Sequence, residues 1–286
     1  MATRNITTKI QMRQDTAANW ESKNPILAAG EIGYDITNKQ TKIGDGTTAW
    51  AGLTAFTVGD IPSVSFQNDS WGMIAKLASE GTADIYYAVG DKKTITLTSG
   101  ERVTLVILGF NHDDLTSGGK APITIGMENL LATTYPMNAT STNAGGWHSS
   151  VMRTSTMATL LSQLPADLQA VIKQVNKKAS AGSQSSSITT SADKLWLFSE
   201  VEVDNTAIAV YVNEGVQYDY WKTVKDGTVS ANRIKYLSNG GGSANLWWLR
   251  SPSAGGSGGF RVIVSSGSVI DSPANITCGA SFGFCV

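Results

Sequence analysis

The chain has 286 residues, of which 41% are apolar and 16% are charged, and its formal net charge is -1. This length fits one large domain or two ordinary ones, with enough apolar material for a packed core. A nearly neutral chain has no field to attract polyanions, so we expect no nucleic-acid partner. No apolar run approaches the roughly 20 residues that span a bilayer, so we expect no membrane insertion.

The first residues, Met1–Ile6, lack the apolar core of a secretory signal, so we expect synthesis in a cytoplasm. Two cysteines, Cys278 and Cys285, are too few for a disulfide framework and are expected to be reduced thiols.

Residues 1–57 form the first predicted module. Met12 alternates with polar neighbours as in a half-buried strand, and two further short strands are predicted on either side of a turn at Thr37–Lys39. Trp50 and Leu53 end the module. So few apolar residues cannot bury a stable core alone, which predicts that several copies associate.

A family resemblance covers this module. Its motifs are Gly30-Glu31-x-Gly33-Tyr34 and Lys42-Ile43-Gly44-Asp45-Gly46-x-Thr48-x-Trp50-x-x-Leu53. They resemble the N-terminal module of phage tail-fibre and tropism-determinant proteins. The resemblance implies a small β-prism-like module that intertwines about a threefold axis, so that the chain is a homotrimer joined to a phage tail fibre or baseplate.

Residues 58–70 are predicted to be a connector, and residues 71–286 a larger second domain. Its predicted elements are a helix Trp71–Glu80, strands Tyr86–Val89, Thr94–Leu97 and Val103–Phe110, a helix Val151–Leu164, a helix starting at Pro165, and a strand Lys194–Val203. The Ser-rich stretch Ala179–Ser191 is predicted to be a loop. Helices and strands in this order indicate an α+β protein.

The second domain also resembles a known family. The matching motifs include Ile107-Leu108-Gly109-Phe110-Asn111-His112, Asn143-x-Gly145-Gly146-Trp147, Leu197-x-x-Glu200-x-Glu202 and Trp248-Leu249-Arg250-Ser251-Pro252. Their order is similar to that of bacterial and phage domains with a C-type-lectin-like (formylglycine-generating-enzyme-like) fold. Such domains are often the variable proteins of diversity-generating retroelements, so the resemblance implies a diversified ligand-binding surface.

The resemblance places that surface after Pro252. By motif, the ligand-binding positions are Ser253, Ala254, Gly255, Gly256, Ser257, Gly258, Gly259, Arg261 and Ile263. Most are unusually small, and only Arg261 is of a residue type common at binding hot spots. A Gly/Ser surface loop without any partner is the alternative interpretation.

Strand residues next to this surface are predicted to be scaffold. Arg250 is expected to be buried and paired, with Glu200 or Glu202 as its partner, because a buried guanidinium needs a carboxylate. Trp247 and Trp248 project to opposite faces of their strand, so one packs under a covering loop or lies at the binding surface; the resemblance favours scaffold.

We expect no catalytic residue, no metal site and no cofactor. His112, Asp113 and Asp114 are expected to form a solvated turn, because adjacent acids do not wrap around a cation. Cys278 and Cys285 would be the reactive pair of a lectin-fold oxidase, but nothing nearby in sequence lowers a thiol pKa.

The sequence therefore predicts a trimeric phage receptor-binding protein, carried in the virion and made in the host cytoplasm. Its partner would be a bacterial surface receptor, either protein or glycan. The alternatives are a structural tail-fibre or baseplate protein without a ligand and a lectin-fold oxidase.

Overall fold

The computed structural model describes residues 12–56, 63, 65–204, 211, 213–222, 231–240 and 242–286. The chain divides into two compact units, residues 1–63 and 64–286. Much of the predicted connector, residues 58–62 and 64, lies outside the described residues, and Phe66 packs in the core of the second unit.

The first unit is a four-stranded sheet with a short helix. Its elements are β1 (Arg13–Asp15), α1 (Ala17–Lys23), β2 (Ile32–Asp35), β3 (Gln40–Ile43), a 3₁₀ turn (Trp50–Gly52) and β4 (Ala55–Phe56). β1 pairs with β2 in parallel, and the other pairs are antiparallel. Its core contains Trp20, Leu27, Trp50 and Leu53, with the two indole rings stacked 3.9 Å apart. A Cβ at Gly33 would lie 2.6 Å from the Trp50 ring, so close packing requires glycine there.

The second unit is larger and mixes helices with antiparallel strands. In chain order its helices are α2 (Trp71–Ser79), α3 (Ala83–Tyr86), α4 (Gly146–Ser149), a π-helical turn (Met152–Thr156), α5 (Met157–Gln163), α6 (Ala166–Val171), α7 (Glu200–Val203), α8 (Asp219–Lys222) and a 3₁₀ turn (Ala231–Arg233). Its strands are β5 (Lys92–Thr96), β6 (Arg102–Phe110), β7 (Ile123–Met127), β8 (Val175–Ser180), β9 (Ile188–Asp193), β10 (Trp196–Leu197), β11 (Lys235–Tyr236), β12 (Ala244–Asn245), β13 (Trp247–Pro252), β14 (Gly259–Ile263), β15 (Val269–Pro273) and β16 (Phe282–Cys285).

Two sheets organise this unit. The five-stranded sheet has the order β10-β16-β7-β6-β5, and every residue of β7 and β16 is buried. The three-stranded sheet β13-β14-β15 carries the predicted ligand-binding positions. The α+β class is confirmed.

Several predicted elements are confirmed. Ser70 caps α2 by accepting a hydrogen bond from the Met73 amide, and β6 spans the predicted apolar strand. The helix after Pro165 is also present, although it ends at Val171. The strand predicted at Tyr86–Val89 is wrong, because Tyr86 ends the helical turn α3 and the next strand begins at Lys92.

Two further predictions are wrong. The predicted Ser-rich loop contains the turn and half of the strand residues of the hairpin β8–β9, in which Ser180 and Ser191 are buried. The strand predicted for residues 194–203 ends early, at Leu197. Ser199 and Glu202 then form a reciprocal capping box, which starts α7 instead.

Candidate functional site

The loop 253–258, here called the display loop, joins β13 to β14. Gly255 and Ser257 are exposed, whereas Ser253 at its start is buried. Ala254, Gly256 and Gly258 are half-buried, and Gly259 after the loop is buried. The structure therefore brings part of the predicted ligand surface to solvent.

The backbone of the display loop is held by Asn143, which has no exposed surface. The Asn143 side-chain Nδ2 donates to the carbonyl oxygens of Gly256 at 2.9 Å and Gly259 at 2.8 Å. The backbone amide of Asn143 donates to the carbonyl oxygen of Ser257 at 2.8 Å. All of these acceptors are backbone atoms, so the loop keeps its shape without help from its own side chains.

Gly258 is held in the same way by groups outside the loop. Its carbonyl accepts hydrogen bonds from Ser141 Oγ and from the Ala274 amide, each at 2.9 Å. These bonds again depend on the backbone of the loop. The display loop is thus fixed to the rest of the domain through its backbone carbonyls.

The glycines differ in the space around them. A Cβ at Gly256 would meet nothing within 4 Å, and one at Gly255 would make only ordinary contacts, starting at 3.8 Å. A Cβ at Gly258 would lie 3.0 Å from Ser141 Oγ, and one at Gly259 only 2.4 Å from the Ser272 carbonyl oxygen. A Cβ is therefore accommodated at 255 and 256 but not at 259.

The structure changes the roles of the last two predicted positions. Arg261 donates to both oxygens of Glu200, at 2.6 and 3.2 Å, and to Asp271 at 2.8 Å. Its guanidinium is thus engaged within the protein. Ile263 has no exposed surface and lies in the core, which removes it from a ligand-binding surface.

Arg250 is fully buried, as predicted, and its partner is Glu202. Its guanidinium also donates to the carbonyls of Lys178 at 2.9 Å and Leu197 at 3.1 Å. Glu202 in turn accepts from Lys177 Nζ at 2.6 Å. Burial alone would raise the pKa of Glu202, but Arg250 and Lys177 hold it below its usual value.

Lys177 extends this cluster to Asp113, whose carboxylate is 2.6 Å from Lys177 Nζ. Asp113 also accepts from Thr124 Oγ1 at 2.6 Å and from the Tyr218 hydroxyl at 3.0 Å. We call Asp113, Lys177, Glu202 and Arg250 the ion network. The predicted solvated turn is wrong for Asp113, because this carboxylate points into the core to meet Lys177.

Glu214 adjoins the ion network and is also buried. Its carboxylate accepts from the Ser180 amide at 2.7 Å and from the Ser251 hydroxyl, and its carbonyl accepts from Arg250. Burial raises the pKa of Glu214 to about 7, against the opposing effect of Arg250.

Trp247 and Trp248 are both fully buried, so both are scaffold. The indole N–H of Trp247 donates to the Arg233 carbonyl at 2.9 Å, and that of Trp248 to the Tyr135 carbonyl at 2.7 Å. Because the two side chains project to opposite faces of β13, both faces of the sheet β13-β14-β15 are covered at this position.

Cys278 and Cys285 are free and buried. Burial raises the pKa of the Cys278 thiol to about 11 and that of Cys285 well above its usual value, which disfavours the reactive thiolates. In the part of the chain that the structure describes, no three His, Cys, Asp or Glu side chains are placed to hold a metal ion.

Two comparisons with known families place the chain. Residues 124–281, more than half of the chain, match the family model described as domain of unknown function (DUF6273). The chain belongs to this family. The matched DUF6273 segment contains Asn143, the display loop and all of the ion network except Asp113.

The N-terminal unit matches a second model, the major tropism determinant N-terminal domain, over residues 10–48. The chain is therefore tropism-determinant-like in this part. Neither a curated protein nor a solved structure matched the chain. Among the described residues, every helix is too short or too polar to cross a bilayer.

Sequence reasoning missed the role of Asn143 and the burial of Lys177. The motif Asn143-x-Gly145-Gly146-Trp147 was visible as a pattern, but its partners lie more than 100 residues later. For Lys177 the only local signal was its alternation with Val175 and Ala179 in β8.

Proposed function

We propose that the protein is a phage tropism determinant that attaches the virion to its bacterial host through the display loop. The observation that carries the proposal is the loop whose backbone is fixed by Asn143 while residues 255 and 256 have free space around them. A surface of this kind can change its residues without changing its shape. The match of residues 10–48 supports the same role.

The proposal requires no catalysis and no cofactor. Attachment needs only binding, and several weak sites on one particle bind a cell strongly through their high effective concentration. The proposed location is the phage tail, after synthesis in the host cytoplasm.

We further propose that the chain is a homotrimer assembled through its first unit. On the face of the sheet opposite Gly33, Ile32 and Ile43 are cross-strand partners and are 39% and 44% exposed. Phe56 is 40% exposed beside Thr41 on the same face. Apolar strand faces of this kind in a small unit favour burial against other copies.

Light scattering tests the assembly. The full chain should have three times the mass of one copy, and replacement of both Ile32 and Ile43 by Ser should shift it toward monomers. A monomeric wild-type chain would contradict this part of the proposal.

Binding of the labelled full chain to a panel of bacterial strains tests attachment. The variant carries tyrosines at 255, 256 and 257, and the matched control carries Ser266→Tyr in the exposed turn at the other end of β14. We expect the loop variant to lose binding to strains that the control still binds. Equal binding by both, or binding of the wild type to no strain, would support a structural fibre protein instead.

We also propose that the second unit has a C-type-lectin-like fold and is diversified by a retroelement, and the diversification is tested at the gene. A neighbouring reverse transcriptase gene and a near-repeat of the 3′ end should be present, with adenines at the codons of the display loop. The space around the glycines predicts variation at 255 and 256 and a constant Gly259, and the burial of Ile263 predicts a constant residue there. A neighbourhood without such a repeat would contradict diversification.

A further inference from the structure

Asn143 joins the display loop to the turn of the β8–β9 hairpin. Its side-chain Oδ1 accepts from the Ser183 amide at 2.8 Å, while its Nδ2 holds the display loop. The approach is close, because a Cβ at Gly182 would lie 1.7 Å from the Asn143 carbonyl oxygen. Residues 139–145, 181–187 and 253–258 therefore form one continuous patch, here called the clasped surface.

The turn at the end of the β8–β9 hairpin is strained. Ser183 and Gln184 have φ angles of 51° and 61°, and the Ser185 amide donates to the Gly182 carbonyl at 2.9 Å. These are the central positions of a turn that favours Asn and Gly. Strain of this kind persists where surrounding contacts enforce it, and it is concentrated at binding sites. Here Asn143 supplies one such contact through the Ser183 amide, and the next residue, Gln184, is exposed.

The chemistry of the clasped surface is uniform. Its three segments contain no charged residue, no aromatic residue and no large apolar residue. The exposed polar members are Thr140, Ser141, Ser183, Gln184, Ser186, Ser187 and Ser257. Arg261 and Asp271, on the adjoining strands, pair with each other.

The uncharged hydroxyl and amide groups of the clasped surface favour some classes of ligand over others. Polyanions require Lys or Arg, and protein partners are held chiefly by Trp, Tyr and Arg, none of which the clasped surface offers. Hydroxyl and amide groups both donate and accept hydrogen bonds, as the hydroxyl groups of a neutral sugar do. Such a surface binds each sugar weakly, which suits a ligand with many repeats that several copies of the protein contact at once.

We propose that the clasped surface, including the Ser183–Gln184 turn, binds a neutral glycan of the bacterial envelope. The proposal rests on the proposed attachment function and names the ligand class and a second binding segment.

The test uses the labelled full chain and a strain that it binds. Cells are treated with periodate, which cleaves vicinal diols of sugars, or with protease. We expect periodate to reduce binding at least tenfold and protease to leave it unchanged. Neutral polysaccharide purified from that strain should compete, and the acidic fraction should not. Loss of binding after protease alone, or competition by the acidic fraction alone, would overturn the glycan class while leaving attachment intact.

Gln184→Ala tests the turn, with Gln174→Ala as the matched control, since Gln174 is also exposed but lies outside the clasped surface. We expect at least a fivefold loss of affinity for Gln184→Ala and none for Gln174→Ala. If the two variants bind equally, the turn is not part of the site. If the tyrosine-bearing display loop also still binds, the proposed function itself fails.

Discussion

The ion network and the display loop lie in the same domain and differ in charge: the first consists of buried charged residues, and the second contains no charged residue. Asp113, Lys177, Glu202 and Arg250 are each at most 5% exposed and are linked by hydrogen bonds. The display loop has no charged residue and is held through backbone carbonyls. The ionic contacts of this domain therefore hold the scaffold together, whereas the display loop takes no part in them.

The largest expected effect comes from breaking the ion network. Arg250→Met would leave Glu202 buried with only Lys177 as its ionic partner, and we expect a loss of about 3–5 kcal/mol in the free energy of unfolding. Lys222→Met, which removes an exposed ion pair with Asp219, should cost less than about 1 kcal/mol. Urea denaturation of both variants measures the difference. Equal losses would show that the buried network does not stabilise the scaffold.

A second effect concerns pH. Because burial raises the pKa of Glu214 to about 7, the folded chain keeps this proton up to pH 7, whereas the unfolded chain loses it at the ordinary pKa of 4.5. The contribution of Glu214 to the free energy of unfolding therefore falls as pH rises from 4.5 to 7, by at most about 1.4 kcal/mol per pH unit. Above pH 7 this contribution is constant.

Glu214→Gln removes this titration. The stability of the wild type relative to the variant should fall between pH 4.5 and 7 in denaturation curves measured at several pH values. A difference that is independent of pH would show that Glu214 is ionised in the folded protein throughout this window.

Two glycines only three residues apart, Gly256 and Gly259, should differ in how much stability is lost when they are replaced by alanine. Gly259→Ala forces a Cβ to 2.4 Å from the Ser272 carbonyl, and we expect a loss of about 1–3 kcal/mol. Gly256→Ala meets no atom within 4 Å and should change stability by less than about 0.5 kcal/mol. Thermal unfolding of the two variants measures this difference in stability. A destabilising Gly256→Ala would mean that the display loop cannot vary freely.

Asn143→Ala tests the attachment of the loop to the scaffold. It removes the donors to the Gly256 and Gly259 carbonyls, and we expect a loss of about 1–2 kcal/mol. Amide hydrogen exchange should speed up in the display loop and the Ser183 turn while the five-stranded sheet stays protected. Asn176→Ala, which removes a longer bond of 3.4 Å to Leu115, is the control. Unchanged exchange in the loop would show that other contacts hold it.

Much of the scaffold could be predicted from the sequence. The apolar strand β6, the cap of α2 and the burial of Arg250 each follow from local pattern or from the need of a buried charge for a partner. The hairpin β8–β9 could not, because Lys177 is made compatible with the core only by Asp113 and Glu202, which lie elsewhere in the chain.

The site was predicted in part. The resemblance located the exposed loop, but it could not show that Arg261 is paired with Glu200 or that Ile263 is buried. The role of Asn143 was also hidden, since bonds from a side chain to distant carbonyls leave no periodic signal in a sequence.

The position of β16 has a consequence for protein synthesis. This strand lies between β10 and β7, so the five-stranded sheet lacks an inner strand until residues 282–285 have left the ribosome. A stop codon anywhere in residues 253–281 would therefore yield a chain that cannot complete its core. Such products should be degraded by cellular proteases, so that only chains translated through the display loop and on to β16 accumulate in the folded state.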